Sequence, residues 1–309
     1  MEASVTLKRV GKLVHGKTIL AGMSFGIEKG TIVAVVGENN AGKSMLLKVI
    51  AGFENPEHGG IFIHGLDSVR RRQEVRHLIG YVPADNDFDP WLSLKQNILF
   101  IGSLYGVSPA DLETRISTMS RILRLEDALD TKVQDLPSSL VKRGMIVRAL
   151  IHDPAILVMD EPTAFQDAEM VRVIWDYLEQ FRGEKTIIFT SQNFSVIEQV
   201  HDRILVLREG RVLLDGTLDR LLESTTHYHQ FQIEFETLSD AMYQKLAKMD
   251  IVFSPSKQGN LFTFYGRNKK VLFQVMEAAR ELVLVDVNLK KMGLKDLLDS
   301  EFSRQGLVE

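Results

Sequence analysis

The residues best suited to chemistry in this chain form two short clusters, Gly37-Glu38-Asn39-Asn40-Ala41-Gly42-Lys43-Ser44 and Met159-Asp160-Glu161-Pro162-Thr163. The first fits the pattern GxxxxGK[ST]. A loop of that composition turns its backbone N–H groups inward around phosphate oxygens, which calls for glycine freedom and small neighbours. The backbone of Gly37, Asn39, Asn40, Ala41, Gly42 and Met45 is the expected cradle. Lys43 adds a point charge over the β- and γ-phosphates, and the Ser44 hydroxyl is suited to ligate magnesium. A following helix aims its positive end at the same anion. The second cluster closes the apolar run Ala155-Ile156-Leu157-Val158-Met159. A buried strand does not end in paired carboxylates unless something cationic neutralises them. Asp160 is expected to hold the magnesium shell, and Glu161 to act as the general base that polarises an attacking water. Taken alone, each cluster has a plain alternative: a glycine-rich turn with a solvated lysine, or a solvated acidic strand end. Together they favour the chemical reading.

Several elements must position these clusters. Thr31-Ile32-Val33-Ala34-Val35-Val36, Ala155 to Met159 and Thr186-Ile187-Ile188-Phe189 read as buried strands. A helix is expected to open at Gly42-Lys43-Ser44 with Leu46, Leu47 and Ile50 on one face, and strand, Gly-rich turn, helix is the context a phosphate loop requires. Between about Phe88 and Gln134 the pattern turns helical, with Leu94, Ile98 and Ile101 on one face and Ile116, Met119 and Leu123 on another. After about Leu222 the character changes. Phe231, Ile233 and Phe235 alternate as in a strand, and Met242, Leu246 and Met249 follow at helical spacing. Ile251 to Phe253 and Leu261 to Tyr265 read as strands joined through Pro255 and Gly259. Leu272, Val275, Met276 and Ala279 mark a helix, Leu282 to Val287 a strand, and Leu294, Leu297, Leu298 and Phe302 a last helix. The order β-α-β-β-α-β predicts a small α+β, ferredoxin-like unit.

Composition narrows the function classes. The 309 residues favour two domains. A net charge of -4 argues against a general affinity for nucleic acid or for an anionic membrane surface. With no cysteine, disulfides, thiolate metal sites and cysteine nucleophiles are excluded. No stretch of about 18 apolar residues is present, and Met1-Glu2-Ala3-Ser4-Val5 lacks the basic-then-apolar pattern of a secretory signal. The expected place is cytoplasmic, with membrane contact only through partner chains.

Further segments carry a resemblance: His152-Asp153-Pro154 ahead of the acidic strand, Ile79-Gly80-Tyr81-Val82-Pro83, and Asp202-Arg203-Ile204-Leu205-Val206-Leu207-Arg208-Glu209-Gly210-Arg211. With the two clusters they resemble the ABC ATPase family over about residues 3 to 220. The resemblance implies an α/β P-loop core with a mixed sheet over 1–222, a helical subdomain at about 88–152, and a C-terminal regulatory or dimerisation domain at 223–309. It implies ATP with Mg2+ as cofactors. It also implies a head-to-tail dimer, in which each ATP lies between one chain's P-loop and the other's signature motif. A homodimer is expected, with a heterodimer with another cassette as the alternative. The partners implied are transmembrane permease subunits, whose coupling helices would meet the 88–134 segment, and the place implied is the inner face of the cytoplasmic membrane. The C-terminal extension and the segment from Ile98-Leu99-Phe100 to Leu104-Tyr105-Gly106 look similar to cassettes of multidrug, polysaccharide and gliding-machinery exporters.

The chain departs from the family pattern at accessory positions. Ala84 stands where the family has its Q-loop glutamine, with Asp85 next to it. The signature LSGGQ is here Leu136-Pro137-Ser138-Ser139-Leu140, and Pro137 has no N–H to give. Ser138 or Ser139 is expected to cap the following helix and offer a displaced hydroxyl to the partner's nucleotide. Gln192 replaces the switch histidine; its amide can hydrogen-bond a γ-phosphate but cannot carry a proton. The adenine-stacking aromatic is replaced by Val14 or His15, and the D-loop, Ala164-Phe165-Gln166-Asp167, keeps only the aspartate. These departures predict firm MgATP binding with slow hydrolysis, or turnover that depends on other chains. The leading expectation is the ATP-binding subunit of a membrane exporter, and the next a non-transporting ATP-binding switch. A soluble ABC protein of translation or DNA repair ranks last, since neither a second cassette nor a long coiled coil is present.

Overall fold

Five short runs that are apolar on both faces line up as parallel strands in the computed structural model, which describes residues 3–225, 229–290 and 293–304. Along the chain the first unit, Met1–Thr217, opens with β1 (Ala3–Val14), β2 (Lys17–Glu28), β3 (Ile32–Gly37) and α1 (Lys43–Ile50). β4 (His58–Ile63), β5 (Leu66–Asp67), α2 (Arg72–Leu78) and β6 (Ile79–Val82) follow. Next come the helices α3 (Leu94–Leu104), α4 (Pro109–Ile122) and α5 (Ser138–Leu150), then β7 (Ile156–Met159) and α6 (Ala168–Glu179). β8 (Thr186–Thr190), α7 (Phe194–Val200), β9 (Arg203–Arg208) and β10 (Arg211–Gly216) complete the unit.

The main sheet has six strands in the order β10-β9-β3-β8-β7-β6, with only β10 antiparallel to its neighbour. A second, four-stranded antiparallel sheet runs β2-β1-β4-β5. Leu46, Leu47, Val49 and Ile50 of α1 share one core with Val5, Leu7, Leu20, Ile27 and Ile61 of the second sheet and with Val33, Val35, Val158 and Ile188 of the main sheet. Parallel strands buried on both faces read as continuous apolar runs, which is why the sequence shows them without alternation.

The helical part is set by its caps. Ser93 accepts from the Gln96 amide and Gln96 reaches back to Ser93, a reciprocal pair that starts α3. Ser108 caps α4 with Pro109 in its first turn. Gly144 on α5 lets that helix lie against Leu94, since a Cβ there would stand 2.5 Å from Leu94 Cδ1. α5 itself is buried from Val141 to Leu150, with Lys142, Arg143 and Arg148 among the buried residues.

The second unit, Leu218–Glu309, begins ahead of the expected 222/223 boundary. It holds α8 (Leu218–Thr225), β11 (His229–Phe235), α9 (Asp240–Ala247), β12 (Phe253–Gln258), β13 (Leu261–Gly266), α10 (Lys270–Ala278), β14 (Leu284–Lys290) and α11 (Leu294–Arg304). Its antiparallel sheet runs β12-β13-β11-β14, the strand order of a ferredoxin-like unit. Phe231, Ile233, Phe235, Phe262 and Phe264 pack with Leu246, Val271 and Val275 in its core. Strand boundaries move, and β14 runs Leu284–Lys290 where Leu282 to Val287 was expected. Ile251 and Val252 lie ahead of β12, and Pro255, expected in a joining turn, sits inside that strand. β12 is an edge strand, and an edge tolerates a residue without an N–H.

Candidate functional site

The loop Gly37–Ser44 leaves the carboxyl end of β3, and Asp160–Glu161 leaves the carboxyl end of β7. β8 lies between them and runs parallel to both, so all three strands open on one edge of the sheet. That edge is where open α/β sheets hold their ligands. Two glycines let the loop fit there. Gly37 has φ 152°, and a Cβ on it would sit 2.2 Å from the Leu207 carbonyl oxygen. Gly42 has φ 98°, and its Cβ would meet Ile19 O at 2.8 Å. The loop is thus wedged between β9 and β2, and α1 starts directly after it. Lys43 Nζ donates to the carbonyls of Gly37 and Glu38, both at 2.8 Å. Burial pushes the Lys43 ammonium below its ordinary pKa, while Glu161 and Asp160 pull it back up.

Asp160 is 3% exposed. Thr190 Oγ1, at the end of β8, donates to its Oδ1 at 2.6 Å, and the Asp160 amide donates to Val82 O at 2.7 Å. Asp160 Oδ2 is buried without a hydrogen-bond partner among the described residues. A buried anionic oxygen left without a donor fits a cation. One carboxylate together with a hydroxyl from the same sheet edge, such as that of Ser44, suits magnesium, which completes its shell with phosphate oxygens and water.

Glu161 has φ 49°, a left-handed backbone for a bulky residue. Its amide donates to Thr190 Oγ1 at 3.0 Å, so this one hydroxyl orients both acids. Glu161 Oε2 accepts from the Gln192 amide at 3.2 Å. Burial raises the Glu161 carboxyl above its usual value; the Gln192 amide opposes that rise, Asp160 adds to it, and Lys43 and Lys142 counter it.

The accessory residues are arranged differently. Ser138 and Ser139 do not cap α5, contrary to expectation. The cap position is held by Pro137, and no side chain bonds the first turn. The serines sit inside the helix, where a hydroxyl cannot reach back to the orphan amides as a residue ahead of the helix can; Ser138 is exposed. Gln192 is exposed and meets Glu161 through its backbone, not its side chain. Asp167 caps α6 through the Met170 amide at 2.8 Å. Gln166 Nε2 donates to Ser139 O at 2.9 Å, tying the D-loop segment to α5. Val14 ends β1 half-buried, paired with Lys17 across the turn that holds the exposed His15.

Two contributors escape a reading of motifs. Thr190 is one. Lys142 is the other: it is 2% exposed, and its Nζ donates to Pro83 O and Ala84 O at 2.8 Å and to Asp160 O at 3.3 Å. The available signal was a lysine in a helix that is otherwise largely apolar.

Behind the Ile79–Val82 strand lies a cavity of about 610 Å³ lined by Phe53, Arg76, His77, Leu104, Tyr105 and His152, among others. Tyr105 stacks on His152 with centroids 3.9 Å apart and meets His77 edge-on at 5.2 Å. Burial lowers the His152 pKa to about 4, so its ring is neutral near pH 7. Phe53 and Leu104 are 62% and 65% exposed at this wall.

Comparison with known proteins agrees with this geometry. The ABC transporter family model matches residues 20–164. A Nod factor export ATP-binding protein I of Paraburkholderia xenovorans (strain LB400) is 32% identical over 225 residues, 72% of this chain and 74% of that protein. A Nod factor export ATP-binding protein I of Cupriavidus metallidurans (strain CH34) is 27% identical over 304 residues, 95% of this chain and 98% of that one. Among solved structures, an ATP-binding subunit of an ABC transporter superposes with a TM-score of 0.67 at 25% identity, over 71% of this chain and 92% of the other. The chain belongs to the ABC transporter family, as one of its ATP-binding subunits.

Proposed function

We propose that this ATP-binding subunit serves an exporter, binds ATP together with magnesium, and hydrolyses it slowly when isolated. The observation that carries the reading is the convergence of Lys43, Asp160 and Glu161 on one edge of the sheet, with Asp160 Oδ2 left open. In this reading the backbone from Gly37 to Met45 and Lys43 hold the phosphates. Ser44 and Asp160 hold the magnesium, which neutralises phosphate charge when bound. Glu161, held by Thr190 and the Gln192 amide, orients and deprotonates the attacking water. The export direction is supported by the two similar proteins, both Nod factor export ATP-binding protein I.

Slow turnover follows from what the accessory positions lack. Ala84 ends in a methyl group, Pro137 offers no N–H, and the Gln192 amide cannot carry a proton. Each missing donor around a γ-phosphate costs about a hundredfold to a thousandfold in rate.

Among the described residues no helix is long and apolar enough to cross a membrane. In this reading the chain sits on the inner face of the cytoplasmic membrane through permease subunits. The aromatic cavity beside Phe53 and Leu104 supports such docking, since exposed apolar side chains around a concave wall mark interaction sites. The dimer in this reading is head-to-tail, between two copies or with another cassette. The second unit aids self-association: β14 is an edge strand and exposes Val285 next to Val283 and Leu284.

The test is calorimetric titration of the full chain with MgATP, alongside phosphate release with and without its co-purified permease. Binding with slow release that rises with the permease is the expected result. Absence of MgATP binding overturns the site, and brisk release by the chain alone overturns slow turnover. Binding with no release under either condition favours a non-transporting switch, which Ala84, Pro137 and Gln192 also fit.

A further inference from the structure

We propose that Lys142 is a positioning residue that ties the loop after β6 to the metal-holding turn after β7, doing from α5 what no side chain at position 84 can do. The inference rests on the nucleotide site proposed above.

A buried lysine ordinarily pairs with a carboxylate. Lys142 instead directs its three N–H groups at three main-chain carbonyls, Pro83, Ala84 and Asp160. Those carbonyls belong to two segments far apart in sequence, and the lysine reaches them from a third. Charge balance comes from a distance: burial disfavours the ammonium, while Asp160, Glu161, Asp85 and Asp87 favour it. The arrangement therefore fixes backbone rather than forming an ion pair.

The surroundings make that tie consequential. A cavity of about 370 Å³ lies against Lys142, bounded by Ala84, Asp85, Leu136, Ser138 and Phe165. The altered positions of three motifs thus gather around this one side chain. Ala84, Asp85 and Asn86 are exposed beside that cavity, so the loop has room to shift. Arg148, on the same helix, also holds the loop, through Asp87 at 2.7 Å. It also lies over the Phe88 ring at 4.8 Å, and both of these contacts stay on that loop, whereas Lys142 continues to Asp160.

That contrast supplies the experiment. In the full chain, Lys142→Met keeps an unbranched chain as far as Cε and removes every donor. Affinity is measured by calorimetry for MgATP and for ATP in EDTA, and amide hydrogen exchange is followed over residues 84–87 without nucleotide. The expected result is a loss of about tenfold or more in MgATP affinity. Magnesium-free affinity should stay within about twofold, and exchange over the loop should become several-fold faster. Arg148→Met should speed exchange near Asp87 without a magnesium-selective loss. Equal losses with and without magnesium, no loss in either, or the same selective loss in Arg148→Met would each overturn the proposal. If Lys142→Met does not fold, Lys142→Leu, which also carries no donor, is read by the same criteria. Should the unmodified chain bind neither form of ATP, the nucleotide site itself fails, and the exchange comparison alone decides the tie.

Discussion

Around Lys43 and Asp160 the polar groups point toward a common space at the sheet edge, whereas around Ala84, Ser138 and Gln166 they are absent, exposed or bonded to the chain itself. Asp160 keeps an open carboxylate oxygen, and Glu161 is held through Thr190 and a backbone amide. On the other rim, Gln166 reaches for the Ser139 carbonyl, Asp167 caps its own helix, and Lys142 grips main-chain oxygens. The difference teaches that the first rim keeps charged groups free in the way the proposed nucleotide and magnesium site requires. The second is organised for mechanical continuity between segments. A subunit built so can hold nucleotide on one side while leaving charge stabilisation on the other to be supplied or omitted.

The comparison breaks most directly at Lys43. Lys43→Ala should abolish detectable MgATP binding, a loss of more than about a hundredfold, with an unchanged far-ultraviolet circular dichroism spectrum. Near-normal affinity in that variant would mean the first rim is not a phosphate site. Next in size is Glu161→Gln, which should leave binding intact and lower any measurable phosphate release by about a hundredfold or more. An unaffected rate would remove Glu161 from the role of base.

Rebuilding the second rim tests the comparison from the other side. Gln192→His together with Pro137→Ser, Ser138→Gly, Ser139→Gly and Leu140→Gln should raise phosphate release by about tenfold to a hundredfold, since several donors return at once. A rebuilt chain no faster than the original would show that these positions do not limit the rate.

The smallest effect concerns the wall behind that rim. His152 carries a pKa of about 4, below the ordinary imidazole value of 6.5. The unfolded chain therefore binds the proton more readily, and stability is lost as pH falls from about 6.5 toward 4. The full loss, complete only below pH 4, is about 3 kcal/mol. His152→Gln should flatten that part of the melting-temperature profile, which scanning calorimetry between pH 7 and pH 4.5 would detect. An unchanged slope would mean that His152 does not titrate across this range.

Legibility followed the range of the interactions. The phosphate loop and the acidic strand end could be read directly, because each is a contiguous run whose backbone demands particular residues: glycine at 37 and 42, a cation at 43, carboxylates after an apolar strand. The β-α-β-β-α-β order of the second unit was readable for the same reason, from local periodicity, while strand ends moved at β12, where Pro255 sits on an edge, and at β14. Helix capping at Ser138 was misread because the start of α5 is set by Pro137, one residue earlier. The roles of Thr190 and Lys142 could not be read, beyond the oddity of a lysine in a largely apolar helix. Their partners lie 30 positions away at Asp160 and 59 and 58 positions away at Pro83 and Ala84, and such contacts exist only once β6, β7, β8 and α5 have packed.

By itself, then, the amino-acid sequence determined where the glycine-rich turn, its lysine and the paired acids fall, the groups that the proposed function assigns to phosphate and magnesium, since backbone conformation and side-chain charge are local properties. Tertiary structure alone decided which carboxylate oxygen stays open, which serine lies outside a cap, and which lysine holds the loop at Ala84, because burial and hydrogen-bond geometry arise only where distant segments meet.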